Sequence, residues 1–333
     1  APFKECVTHG WTVDGEGRAM HKSLGNGMDP NQLIKEYGAD IVRLWAGASD
    51  YHADVRCSKE IFKQLSQNYL KFRNTAKFCL DNLTGFDPEQ LVAAADMQEL
   101  DRWAVTRLNS LIRRVFDSYD AYEFHAVSHA INDFCVVELS SFYLDIIKDR
   151  LYCEEKDGLK RRSAQTALWL ILDTITKLFA PILAFTCDEI WQAMPHRADQ
   201  DARNVVLNEM NKPFADYALS EDEMAKWDKI IDVRTAVNGV LESARNEKKI
   251  GKSLEAAVEL TVPAEDAFLE EMDQADLADL LIVSQVEVTV GQAIQATVEN
   301  AAGDKCQRCW KVLPTVNGEG LCPRCAKVLT TLV

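Results

Sequence analysis

A chain of 333 residues with 47% apolar content is long enough for two or three domains, each with a sizeable core. Its 52 acidic against 37 basic residues give a net charge of -15, which argues against diffuse adhesion to a polyanion or an anionic membrane; any nucleic-acid contact must use a local basic patch. No run approaches the roughly 18 to 20 apolar residues of a membrane span, no signal-like head precedes Val7, and the ten cysteines are mostly scattered, so the expectation is a reducing, cytoplasmic setting and no membrane partner.

In chain order, Val7-Thr8-His9-Gly10-Trp11-Thr12-Val13 reads as a strand and Asp14-Gly15-Glu16-Gly17 as a tight turn. With no initiating Met and an opening close to a strand, the expectation is a piece of something longer. A strand or loop follows over Arg18 to Asn26. Asp29-Pro30 is an N-cap with proline at the first helical position, and the helix it starts runs through Tyr37 to Gly38.

From Ser58 to about Pro195 the apolar period is helical. Ile61, Leu65, Tyr69, Phe72, Ala76, Cys79 and Leu83 form one stripe; Leu100, Trp103, Val105, Leu108, Leu111 and Val115 a second; Phe134, Val137, Leu139, Phe142, Leu144 and Ile147 a third. A fourth runs from Ala164 to Phe179 and stops at Pro181, before a short helix through Trp191. Long helices with short connections predict an antiparallel bundle, so the fold class is mainly α. Residues 196 to 219 read as a polar linker. Beyond it come a helix over Met224 to Asn246, a strand over Ala256 to Val262, an acidic helix over Glu265 to Leu281 and a strand over Val283 to Val290, a small α+β unit.

The strongest local signal is at the end. Cys306-Gln-Arg-Cys309 and Cys322-Pro-Arg-Cys325 are two Cys-x-x-Cys turns twelve residues apart, and each can point two sulfurs at one ion. Four thiolates close a tetrahedron and leave no place for substrate, so the prediction is one structural Zn2+ with Cys306, Cys309, Cys322 and Cys325 as ligands. Two disulfides or a redox dithiol are the competing readings. Arg308, Lys311 and Arg324 lie around the knuckles with Trp310, a composition suited to RNA, although Trp310 equally suits the core of the ribbon. Lys148, Arg150 and Lys160-Arg161-Arg162 are a second cationic group that reads either as a phosphate-facing patch or as a solvated face. The other six cysteines read as ordinary thiols, and His125 and His129, four apart on a helix, lack a third metal ligand.

Near the start, Ala19-Met20-His21-Lys22-Ser23-Leu24-Gly25-Asn26 puts a lysine and a serine on a glycine-flanked loop, a peptide that can bind phosphate or simply turn in solvent. The loop resembles the Lys-Met-Ser-Lys-Ser signature of class I aminoacyl-tRNA synthetases, whose Rossmann catalytic domain ends with it before a helical bundle. Ala19 stands where the first lysine is usual and His21 where the first serine is; Arg18 is a candidate substitute for the missing charge. Gly38 to Trp45, Tyr69 to Thr75, Leu100 to Trp103, Ser141 to Arg150 and Ala180 to Thr186 are similar to the anticodon-binding bundle of the isoleucine, valine and leucine subgroup. Ile250-Gly251-Lys252-Ser253-Leu254-Glu255-Ala256 and the terminal ribbon are most similar to the isoleucine branch.

This resemblance implies residues 1–57 as the end of the catalytic domain, 58–218 as the anticodon-binding bundle, 219–300 as a junction unit and 301–333 as a zinc ribbon. It implies Lys22 as the catalytic lysine acting on ATP phosphates with Mg2+, Met20 and Ser23 as its companions in the loop, and His9 and Gly10 as neighbours of the nucleotide. Isoleucine and tRNA(Ile) are the implied partners, in a monomer, and a piece of this span is expected to form no adenylate by itself. The alternatives are a valine or leucine enzyme, or a stand-alone zinc-dependent nucleic-acid-binding module.

Overall fold

The computed structural model describes residues 2–331. In chain order they form β1 (Thr12–Val13), α1 (Pro30–Tyr37), α2 (Ala39–Ala48), β2 (Val55–Arg56), α3 (Lys59–Asn82), α4 (Glu99–Asp120) and α5 (Phe124–Asp133). A π-helical stretch, Phe134–Tyr143, leads to the short α6 (Leu144–Ile146) and α7 (Lys148–Cys153), then α8 (Leu159–Phe179), α9 (Ala184–Ala193) and α10 (Glu221–Asn246). The remainder is β3 (Ala256–Pro263), α11 (Phe268–Glu271), α12 (Gln274–Leu281), β4 (Gln285–Gly291), β5 (Gln295–Asn300), β6 (Asp304–Lys305), β7 (Val312–Leu313) and α13 (Pro323–Thr330). Contacts divide the chain into two units: one through Phe142 with Gln165–Ala218, the other Tyr143–Ala164 with Leu219 onwards.

In the first unit the helix starts follow capping chemistry. The Asp29 carboxylate accepts from the Asn31 N–H at 2.9 Å with Pro30 at the first helical position, and the Ser58 side chain caps α3. β1 is shorter than expected, only Thr12–Val13, and pairs with the equally short β2. α8 is buried nearly all round, and its polar side chains are spent inward: Gln165 donates to the Asn82 carbonyl at 2.8 Å and Lys177 pairs with Asp173 at 2.9 Å. The expected stripe of α4 is buried at every named position. The third stripe departs at Val137, which is 59% exposed. The π-helix explains it, since an i to i+5 pattern lines up Phe134 with Leu139 and turns the i+3 position outward.

Residues 196–218 are no free linker. Asn109 donates to the Phe214 carbonyl and accepts from its N–H, Arg102 donates to the Ala218 carbonyl, and Lys177 donates to Asn211. Two of the resemblance segments meet elsewhere in this unit: Asp40 accepts from the Phe185 and Thr186 N–H groups at the start of α9, and Arg43 donates to the Pro181 and Ile182 carbonyls.

The second unit holds a three-stranded sheet in the order β4-β3-β5, with β3 parallel to β4 and antiparallel to β5. Alternation along β3 buries Ala256, Val258, Leu260 and Val262. The single acidic helix expected over Glu265 to Leu281 is broken: Met272 is extended and Asp273 caps α12 by accepting from the Ala275 and Asp276 N–H groups. A short polar side chain offering the backbone a cap outcompetes helix continuation there. β5 was not expected, since only Val298 in it is buried.

Candidate functional site

Two local constructions carry chemistry, one in each unit. The first is the loop of Lys22. Gly17 takes φ +86° to close the turn from Asp14, and Val13 bridges Ala19, so the chain enters the loop as a tight hairpin. Lys22–Leu24 make one 3-10 turn ended by Gly25 at φ 63°. Lys22 and Ser23 are exposed, Met20 is half-buried against the cluster of Leu33, Ile41, Cys57 and Phe62, and among the described residues no ion-pair partner meets the Lys22 ammonium.

Asp14 was not singled out from the sequence, yet it is the centre of this loop. It is buried, with 7% exposure. A hydrogen bond from the Asn26 side chain, then those from Arg18 and the Glu16 N–H, hold its carboxyl well below the usual carboxylate range. Arg18 pairs with Asp14 at 2.9 Å and Glu16 at 3.1 Å, so its charge is already matched within the turn. Gly10 owes its identity to backbone crossing: a Cβ there would lie 2.3 Å from the Ala53 carbonyl oxygen. His9 is exposed, with Nδ1 2.7 Å from the Gly10 carbonyl.

The second construction is the cysteine quartet. Antiparallel β6 and β7 flank the first knuckle, and the second opens α13, with Cys322 as N-cap and Pro323 at the first helical position. All four cysteines are buried, and their sulfurs lie within 4.8 Å of one another. The Cys309 and Cys322 sulfurs are 3.9 Å apart, far beyond a disulfide but close to the edge of about 3.8 Å for a tetrahedron with 2.3 Å metal–sulfur bonds. The Cys322 N–H donates to the Cys306 sulfur at 3.4 Å. Burial pushes the Cys306 thiol up, but N–H groups of Cys309, Cys322 and Arg308 outweigh it and draw it below its ordinary value, whereas burial raises the Cys309 and Cys325 thiols. The donor set fits a metal ion.

The cations around the quartet have protein partners. Arg324 forks onto Asp149 at 2.5 and 2.8 Å and reaches Glu154 at 3.1 Å. Arg308 donates to the Cys153 and Tyr152 carbonyls at the end of α7, at 2.6 and 3.2 Å. Lys311 pairs with Asp279, and Lys327 with Glu155. Burial raises the Asp279 carboxyl against the pull of Lys311. Cys153 packs against the quartet as a fifth buried thiol. Trp310 is different: it sits at φ 66°, is 53% exposed, and has the Lys252 ammonium 5.0 Å from its ring centre. Glu255 sets that lysine by accepting from the Gly251 and Lys252 N–H groups. In the second cationic group Lys148 pairs with Asp145, Lys160 with Asp276, and Arg161 donates to the Leu151 and Lys156 carbonyls.

Residues 1–58 match the family model of class I tRNA synthetases (I, L, M and V), and residues 101–260 that of the anticodon-binding domain of tRNA ligase. Over both spans the chain is similar to tRNA ligases, the first span to those of class I. It is 46% identical over 99% of its length to the isoleucine–tRNA ligase of Syntrophotalea carbinolica and 43% identical over 98% to that of Geobacter sulfurreducens. It corresponds to their carboxy-terminal part and spans 37% and 36% of their lengths, about a third. A crystal structure of the ternary complex of Agrobacterium radiobacter K84 LeuRS with tRNA and LeuAMS shares the fold at 16% identity, with a TM-score of 0.51, over 99% of this chain and 29% of that one.

Proposed function

We propose that the chain works as the carboxy-terminal part of an isoleucine–tRNA ligase that joins isoleucine to tRNA(Ile) at the expense of ATP. Identity of 46% over nearly the whole chain to a protein of that name carries the reading. In the first step a carboxylate oxygen of isoleucine bonds to the α-phosphorus of ATP, and pyrophosphate leaves with the electron pair of the broken P–O bond. Lys22, exposed on an ordered turn and without an anionic partner among the described residues, is placed to meet charge growing on that leaving group, alongside Mg2+. Met20 anchors the loop, Ser23 stands beside the lysine, and His9 and Gly10 flank the nucleotide.

Cys306, Cys309, Cys322 and Cys325 would hold Zn2+, which would join the two knuckles and stabilise the fold of the tail. Trp310, with Lys252, offers an aromatic face and a positive charge to an RNA base and its phosphate, while Arg308, Lys311 and Arg324 support that face from within the protein. Residues 1–57, 58–218, 219–300 and 301–333 then serve as the end of the catalytic domain, the anticodon-binding bundle, the junction and the ribbon. The test is isoleucine-dependent ATP–pyrophosphate exchange and charging of tRNA(Ile) by the intact ligase. The reading requires both with isoleucine as the preferred substrate, and preference for valine or leucine overturns it.

A further inference from the structure

The loop carrying Lys22 is closed at its base by two side chains, Asp14 from the turn before it and Asn26 at its end. Asp14 accepts four hydrogen bonds: from the Glu16 N–H at 3.0 Å, from the Arg18 N–H and Nε at 2.9 Å, and from Asn26 Nδ2 at 2.9 Å. Both its oxygens are in use, each taking two donors. Asn26 in turn accepts from the His21 N–H through Oδ1 at 2.9 Å and donates to the Ala19 carbonyl at 3.1 Å. One amide side chain therefore ties together Ala19, His21 and the end of the loop, and one carboxylate ties that amide to the turn before it. Between these ties the only order is the 3-10 turn, with the Leu24 and Gly25 N–H groups donating to the His21 and Lys22 carbonyls.

We infer that Asp14 and Asn26 are positioning residues for adenylate formation: their contact sets the loop before substrate arrives and so fixes where Lys22 begins its reach. The inference rests on the reading of Lys22 as the lysine that meets the ATP phosphates. Neither residue needs to touch ATP. Among the described residues no hydrogen bond or ion pair holds the Lys22 side chain, so its placement is set by its backbone, and that backbone is set by the clasp. A misplacement of about 1 Å at a reacting centre can cost on the order of 10²-fold in rate, and an interaction made chiefly in the transition state shows in kcat rather than in substrate affinity.

Because one partner accepts and the other donates, the contact can be reversed. Asn26→Asp alone sets two carboxylates against each other, and Asp14→Asn alone sets two amides together and removes the charge facing Arg18. The two changes combined restore one donor and one acceptor across the contact, but leave the Ala19 carbonyl without its donor and Arg18 Nε without its acceptor, so recovery is partial. The experiment uses the intact ligase, numbered as here, with Lys22→Ala, Asp14→Asn, Asn26→Asp and the double variant. It measures pyrophosphate-exchange kcat and KM for isoleucine, transfer from preformed isoleucyl-adenylate to tRNA(Ile), and the thermal midpoint.

The expected result is a fall of about 10- to 100-fold in exchange kcat for each single variant, with KM for isoleucine, transfer and midpoint held, and recovery of about tenfold in the double variant. Wild-type exchange in both single variants overturns the inference. So does loss of exchange and transfer together with a lowered midpoint, or a double variant no faster than the slower single one. Unchanged exchange in Lys22→Ala overturns instead the reading of the loop on which the inference stands.

Discussion

The Lys22 loop and the cysteine tail each gather cations on tight turns, and those charges meet opposite fates. In the tail, Arg324 is matched by Asp149 and Glu154, Lys311 by Asp279, and Arg308 by two carbonyls at the end of α7. In the loop, Arg18 is matched by Asp14 and Glu16, but Lys22 is left open to solvent. A cation already paired gains little by meeting a new anion, because it must first give up the old one. An unpaired lysine on an ordered turn meets no such cost. Positive charge in a sequence therefore marks two different things here: assembly in the tail, and response to a ligand in the loop.

The largest expected effect tests the tail. If its cations serve assembly, the quartet is the centre they assemble around. Removing the metal with a chelator, or changing Cys322 to Ala, should release about one zinc ion per chain and expose 301–331 to proteolysis. A tail that stays protected without metal breaks the comparison at its strongest point. Next comes the loop: Lys22→Ala in the intact ligase should slow pyrophosphate exchange by about 10² to 10³-fold with no change in thermal midpoint, since its side chain is exposed. A matching loss of stability would make this lysine another structural cation.

Much of this was legible from local pattern. The Asp29-Pro30 cap, the stripe of α4 and the spacing of the cysteine pairs act over a few residues, where geometry follows from sequence. What was not legible depends on partners far apart in the chain. Arg324 looks like an RNA contact until Asp149, 175 positions earlier, is found opposite it. Trp310 gave no sign that Lys252 lies over it. Asp14 looks like any turn aspartate, because its link to Asn26 appears only once the hairpin closes. Val137 faces outward because the helix changes period, and no apolar count reports that.

A smaller effect probes the pairing in the tail. Arg324→Ala leaves Asp149 and Glu154 without their donor and should cost about 2 kcal/mol of stability, measured by denaturant unfolding. Its pH dependence identifies the partner. Burial would raise the Asp149 carboxyl, but the hydrogen bond and charge of Arg324 prevail and lower it. A carboxyl lowered by folding stabilises above its unfolded value, near 3.9 on average, and that contribution is lost as pH falls through the folded value. The acid slope should flatten in Arg324→Ala. An unchanged slope means the two are not coupled in solution.

The smallest effects fall on the one surface of the tail where an aromatic ring remains open. Trp310→Ala, with zinc retained, should weaken tRNA(Ile) binding by about tenfold, within the range for one stacked base. Lys252→Ala should weaken it only a few-fold and lower the salt dependence by about one counterion, because it removes a single phosphate contact as well as the cation over the ring. Exchange should stay at the wild-type rate in both, since neither residue belongs to the adenylation loop. Arg308→Ala discriminates: its donors end on the Cys153 and Tyr152 carbonyls, so it should lower stability more than tRNA affinity. If Arg308→Ala cost more affinity than Trp310→Ala at equal zinc content, the paired cations would face the RNA after all, and the contrast between tail and loop would have to be drawn the other way.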